Sequence, residues 1–291
     1  MRNRLVLCTL GIACLLAPLL ALAQPLRIVA AENFYGDVAQ QIGGPLVQVR
    51  SILLNPEQDP HLFEANVSTV KALTDAQLLI YNGAAYDAWM DKLLRVAHSA
   101  PQTVLVVGAL TQAKAGDNPH LWYAPATMPT LARALADSLA QRDPAHSATY
   151  RSNLQTFLDS LQGLNATIAR IKSRSQGQSV TATEPVFGYM AEALGLQVRN
   201  AAFQLAVMND TEPAARDVAR MEDDLRRHAV RALLYNSQAS NRAAQKMRTL
   251  ALQQHVPVVG VSETLPAGQH YQDWMQGQLE RLDAALAAAP P

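Results

Sequence analysis

Between Pro129 and Gln176 the chain carries almost no strand signal, while on either side of that stretch short apolar runs alternate with amphipathic ones. This interruption constrains the fold more than any other feature. Alternating strands and helices build a mostly parallel sheet, and a helical span set into the alternation separates two such sheets. In the first half, "LRIVAAE", "PLVQVRSILL", "QLLIYNG" and "QTVLVVGAL" read as strands with helices between them. In the second, "SVTATE", "LQVRNAA", "VRALLYNS" and "VPVVGVSE" do the same. The third strand of each half ends alike, "LLIYN" at 78–82 and "LLYN" at 233–236. The intervening stretch holds the helix "TLARALADSLAQR" and then a longer one opened by Pro144. Apolar residues recur there at steps of three and four: Leu154, Phe157, Leu158, Leu161, Leu164, Ile168 and Ile171. At 3.6 residues per turn this predicts one helix of about seven turns or more. A hairpin of two shorter helices is the alternative.

The first residues carry Arg2 and Arg4, then an apolar run from Leu5 to Leu20, then Ala21-Leu22-Ala23. This is the pattern of a secretory signal cleaved after Ala23, with an uncleaved anchor as the alternative. The chain has two cysteines, Cys8 and Cys14, both inside that segment, so the exported chain is expected to hold no disulfide and no thiolate. Lipidation of Cys14 is disfavoured, because apolar sequence continues well beyond it and Gly11-Ile12-Ala13 is a poor lead-in. The expected compartment is therefore the periplasm. Lys and Arg number 24, as do Asp and Glu, and the segment removes two arginines, so the remainder is slightly acidic. No basic surplus points to nucleic acid, and no second apolar span points to a membrane helix. The expected divisions are the signal at 1–23, an α/β lobe at 24–143, a linking helix at 144–175 and a second α/β lobe at 176–291. The fold class is thus α/β, with two pseudo-symmetric parallel-sheet lobes joined by a single long helix.

Ligands of open α/β sheets bind beyond the carboxyl ends of the strands. Two such places carry matching words, "DPHLF" around His61 and "NPHLW" around His120. Glu184 follows "SVTAT" directly, and Glu263 follows "VPVVGVS". If the lobes face each other, two imidazoles and two carboxylates meet in one cleft. That set suits a first-row divalent ion, and its two negative charges balance a 2+ charge. Four ligands without a nucleophile or separate base describe capture rather than turnover. The competing roles are loop histidines bonded to backbone, Glu184 as the cap of the next helix, and Glu263 as a solvated residue of "SETLP". His98, His146, His228, His255 and His270 read as surface residues. Phe63 and Trp122 read as walls of the cleft.

The ordered set "DPHLFE", "NPHLWYAP", "TEPVFGYMAEALGL", "LLYNSQ" and "VSETLPAG..YQDWM" resembles the metal-binding solute-binding proteins of ABC importers, the zinc, manganese and iron cluster. The resemblance spans nearly all of the chain after the signal. It implies two lobes on a long rigid helix with the metal between them. It also implies His61 and His120 as the first two ligands, Glu184 as the third, and Glu263 at a fourth position that is commonly aspartate. The short loop "TQAKAGD" before His120, and glutamate at the third position, look more like the manganese and iron branch than the zinc branch. The implied cargo is a divalent metal ion, manganese, iron or zinc. The implied partner is an ABC permease of the inner membrane, with a siderophore or a second periplasmic protein as a further candidate partner, and the chain is expected to be a monomer. A receptor for a metal–siderophore complex is the nearest alternative. A secreted metallohydrolase is disfavoured, since H-E-x-x-H and G-x-S-x-G are absent.

Overall fold

The computed structural model describes residues 24–55, 63–96, 103–114, 116–238 and 241–288. The signal segment, His61 with its preceding Asp59, and His98 lie outside the described residues. Two four-stranded parallel sheets form, and each is built the same way. In the first, β1 (Leu26–Glu32) lies between β2 (Val47–Leu53) and β3 (Leu78–Tyr81), with β4 (Thr103–Val106) beyond β3. In the second, β5 (Ser179–Ala182) lies between β6 (Gln197–Arg199) and β7 (Leu233–Asn236), with β8 (Val258–Val261) beyond β7. The order 2-1-3-4 therefore recurs, and the two lobes are pseudo-symmetric α/β units. β3 is buried at all four positions, as expected of a strand covered by helices on both faces. In each sheet the direction of winding switches beside the first strand, which puts the ligand-binding crevice at the carboxyl ends of β1 and β3, and of β5 and β7.

The helices follow from the apolar steps. In the first lobe α1 (Asn33–Gly43), α2 (Val67–Asp75), α3 (Ala88–Val96) and the one-turn α4 (Val107–Leu110) connect or follow the strands. Asn66 closes the start of α2 by accepting from the backbone N–H of Ser68 and Thr69. α5 (Thr127–Arg142) buries Met128, Leu131, Leu135 and Leu139, one residue per turn.

The span read as a single long helix is two helices, α6 (Ser147–Ser160) and α7 (Gln162–Ser175), which meet at Leu161. Leu161 keeps a right-handed helical backbone (φ −78°, ψ −10°), so the chain tightens there rather than reversing into a hairpin. The cause is local: Leu161 N–H bonds the Leu158 carbonyl, three residues back rather than four, beside Gly163. Phe157, Leu161, Leu164, Ile168 and Ile171 still face one core.

The second lobe adds α8 (Gly188–Ala193), α9 (Ala201–Met208), α10 (Ala215–Arg226), α11 (Arg242–Gln253) and α12 (Tyr271–Ala287). The sequence reading extended the strand through Ala202 and missed α9. β6 stops after three residues because Asn200 takes a left-handed conformation (φ 64°), which turns the chain directly into that helix.

The lobes share one core. Phe34 of α1 stacks on Trp122 (ring centroids 4.5 Å apart) and on Trp274 of α12 (5.9 Å), and Tyr123 packs on Phe187 (5.2 Å). Asn33 holds both the carbonyl (2.8 Å) and the N–H (3.0 Å) of Leu265 in the opposite lobe. No helix among the described residues is long and apolar enough to cross a membrane.

Candidate metal centre

His120 follows β4 and α4 in an Asx-Pro turn. Asn118 Oδ1 accepts from the His120 backbone N–H (3.2 Å), and Pro119 fixes the bend between them. From the neighbouring strand end, Asn82 Nδ2 donates to the Pro119 carbonyl (2.9 Å). The ring is fully buried, edge-on to Tyr86 (5.9 Å) and Trp122 (5.3 Å). Asn118 Oδ1 stands 2.6 Å from Nδ1.

Glu263 follows β8. It is 1% exposed, which overturns the alternative of a solvated loop carboxylate. Its backbone N–H donates to Gln238 Oε1 (2.5 Å), and Asn236 Nδ2 donates to its Oε1 (2.7 Å). Its Oε2 lies 3.2 Å from His120 Nε2. Histidine comes from the first lobe and glutamate from the second, so the pair closes the crevice between them. The Tyr86 hydroxyl also faces Glu263. Burial first, then the Glu263 charge, pushes this phenol well above its usual range, so it remains a protonated donor.

Glu184 follows β5 by two residues and is 5% exposed, with extended backbone (φ −145°, ψ 161°). It precedes the 3₁₀ turn Pro185–Phe187 but makes no capping bond to it, which removes the helix-cap role weighed for it. The segment is tied to the His120 loop: Asn118 Nδ2 donates to the Pro185 carbonyl (2.7 Å), and the Tyr189 hydroxyl donates to the Asn118 carbonyl (2.8 Å). His61 lies outside the described residues; Phe63, two positions on, packs on Trp89 (4.6 Å). Among the described residues, His120 and Glu263 meet directly, and no group of three or more His, Cys, Asp or Glu gathers.

The other described histidines behave as surface groups. His146 pairs with Asp143 (2.6 Å) and His270 with Asp37 (2.7 Å), while His228 and His255 are exposed. Sequence reasoning missed the residues that hold the pair: Asn82, Tyr86, Asn118, Asn236 and Gln238. A signal was present for two of them, because Asn82 and Asn236 end the matched words "LLIYN" and "LLYN". Each occupies the same place in its lobe and donates to the segment or side chain that the adjacent strand delivers.

A second buried acid group lies nearby. Glu32 ends β1 with 1% exposure beside Asp87, whose Oδ2 and Oδ1 accept from the Asn82 (2.7 Å) and Gly83 (2.8 Å) N–H groups. Burial, then the Asp87 charge, holds the Glu32 carboxyl well above its usual range, and burial raises Asp87 to about 6.

The chain is similar to known proteins over most of its length. The metal ABC transporter substrate-binding lipoprotein ScbA of Streptococcus cristatus is 24% identical over 283 residues, covering 90% of this chain and 89% of its own. The manganese-binding lipoprotein MntA of Bacillus subtilis is 27% identical over 267 residues, covering 87% and 82%. The periplasmic zinc binding protein TroA from Treponema pallidum superposes with a TM-score of 0.77 at 20% identity, covering 91% of this chain and all of that one, a likeness of fold. Residues 28–285 match the family described as "Zinc-uptake complex component A periplasmic", and the chain belongs to that family.

Proposed function

We propose that this protein is the exported solute-binding component of a metal ABC importer. It captures one divalent transition-metal ion between its lobes with His61, His120, Glu184 and Glu263, and hands it to an inner-membrane permease. In this reading residues 1–23 direct export to the periplasm, α6 and α7 form the rigid connection between lobes divided near residues 143 and 176, and the protein binds rather than turns over its cargo.

The observation that carries the reading is the buried His120–Glu263 pair across the lobe boundary. Two donors at about 2.1 Å from one ion stand about 3.0 to 3.4 Å apart, the range from octahedral to tetrahedral angles. His120 Nε2 and Glu263 Oε2 are 3.2 Å apart, already at that spacing. Surrounding groups leave both atoms directed at each other, since Nδ1 and Oε1 are engaged by Asn118 and Asn236. The burial of His120, Glu184 and Glu263 favours a bare ion over an organic complex, which needs an open bowl. Nitrogen and oxygen donors without sulfur accept zinc, manganese and ferrous iron, and by the usual divalent order zinc binds tightest whatever is delivered in the cell.

The test is a competition titration with a metal-binding dye at pH 7.5, run with zinc, manganese and ferrous iron and with an iron–siderophore panel. One ion per chain with zinc tightest, and no retained organic ligand, is expected. Absence of metal binding, or retention of a complex without free-ion binding, would overturn the reading.

A further inference from the structure

We infer that Asn118 is a positioning residue that sets the metal-binding face of His120 and, through the same amide, ties that imidazole to the Glu184 segment of the opposite lobe. The inference rests on the metal-site reading above and deepens it.

The orientation of the amide follows from its partners. The Pro185 carbonyl can only accept, so the group 2.7 Å from it is the NH₂ of Asn118. The His120 backbone N–H can only donate, so the group 3.2 Å from it is the amide oxygen. That same oxygen lies 2.6 Å from His120 Nδ1, which must therefore carry a proton. In the neutral ring the lone pair is then on Nε2, the atom that faces Glu263. A ring turned over would present Cε1–H, and the other tautomer an N–H, where a ligand atom is required. Histidine ligands in metal sites are commonly held in this way by an acceptor on the far nitrogen.

The second half of the argument concerns the lobes. Asn118 belongs to the first lobe, yet Pro185 and Tyr189, to which it bonds, belong to the second. Pro185 directly follows Glu184, so the placement of one proposed ligand is coupled to the orientation of another. Gly188 bears this out independently. Its backbone is ordinary right-handed helix (φ −54°, ψ −52°), so no conformational demand calls for glycine. Space does: a Cβ there would stand 2.8 Å from Asn118 Nδ2. The missing side chain lets the amide reach the Pro185 carbonyl.

The experiment measures zinc affinity by dye competition and the metal-free melting temperature for the parent, Asn118→Ala, Asn118→Asp, Gly188→Ala, the Gly188→Ala/Asn118→Ala double variant and His120→Ala. Asn118→Ala should weaken zinc binding about 10- to 100-fold, the usual cost of losing such a support. Asn118→Asp keeps the acceptor for Nδ1–H and loses the donor to Pro185, so it should recover part of that loss. Gly188→Ala should weaken binding although alanine favours a helix, and it should add nothing in the Asn118→Ala background, because its effect passes through the amide. In ¹⁵N-histidine spectra of the zinc-loaded protein, His120 should show a protonated Nδ1 and a metal-bound Nε2 in the parent and lose that preference in Asn118→Ala. Zinc affinity of Asn118→Ala within threefold of the parent, with His120→Ala greatly weakened, would overturn this inference alone. Full additivity of Gly188→Ala and Asn118→Ala would overturn the lobe-coupling half. Unchanged affinity in His120→Ala would overturn the metal-site reading and this inference with it.

Discussion

Two pairs of buried acid-bearing residues lie at the carboxyl edges of the sheets, and they are built for opposite purposes. Glu32 and Asp87 are both carboxyls of the first lobe, and their mutual repulsion adds to the cost of burial, so the pair retains a proton. His120 and Glu263 are a base and an acid from different lobes, 3.2 Å apart. Here Asn236 Nδ2 donates to one oxygen of the carboxylate, and the other oxygen faces the imidazole. A 2+ ion needs donors that have released their protons. The second pair brings one nitrogen and one oxygen to a single point and is the proposed metal site, whereas the first shares a proton, although both are equally shielded from water. Burial alone therefore does not mark a metal site; the donor types and their spacing do.

The sharpest way to break this comparison is to remove the base. His120→Ala should weaken zinc binding at least a hundredfold, about 3 kcal/mol, in a dye-competition titration. If affinity is unchanged, the two pairs do not differ as described. Next in size is Glu263→Gln, which keeps shape and removes charge. We expect a loss of about 10- to 100-fold with the metal-free melting temperature nearly unchanged, and partial retention in Glu263→Asp, as judged by the same titration beside circular dichroism.

The proton-holding pair yields a stability effect instead. Both carboxyls bind protons more tightly folded than unfolded. Their contribution is therefore complete below the ordinary carboxyl range, near pH 4, and is lost as pH rises through about 6 and above. Glu32→Gln should raise stability at pH 8 by about 1 kcal/mol, flatten the decline between pH 5 and pH 8, and leave zinc affinity within twofold. Urea unfolding at several pH values reads this out; a destabilised variant with unaltered slope would contradict the shared proton. The smallest effect is His146→Ala, which removes an exposed partner of Asp143. It should cost below about 1 kcal/mol in the same unfolding series and leave metal affinity unchanged.

Much of this was legible in the sequence. The strands were visible because parallel strands buried on both faces are continuous runs of Val, Ile and Leu, and the residues that follow them are where sheet geometry puts a ligand. His120, Glu184 and Glu263 were singled out that way, and all three are buried beyond strand ends. The α9 helix was not, because "AAFQLAVM" is apolar nearly throughout and shows no helical stripe, and because the turn into it depends on one left-handed residue, Asn200. The tightening at Leu161 was hidden by an apolar stripe that runs unbroken across it. A solvated Glu263 in "SETLP" stayed open as the alternative, since nothing local reveals that Gln238 and Asn236 reach over from the adjacent segment to hold it. Glu32 passed as the last residue of a strand, because its partner Asp87 is distant in sequence.

The most direct test of the central claim is an anomalous-scattering map from crystals grown with zinc and, separately, manganese. We predict a single ion at the lobe boundary, with His120 Nε2 at about 2.0 to 2.2 Å and a Glu263 oxygen within about 2.6 Å, His61 and Glu184 completing the shell. A tightly held ion elsewhere on the chain, bonded to neither His120 nor Glu263, would contradict the account.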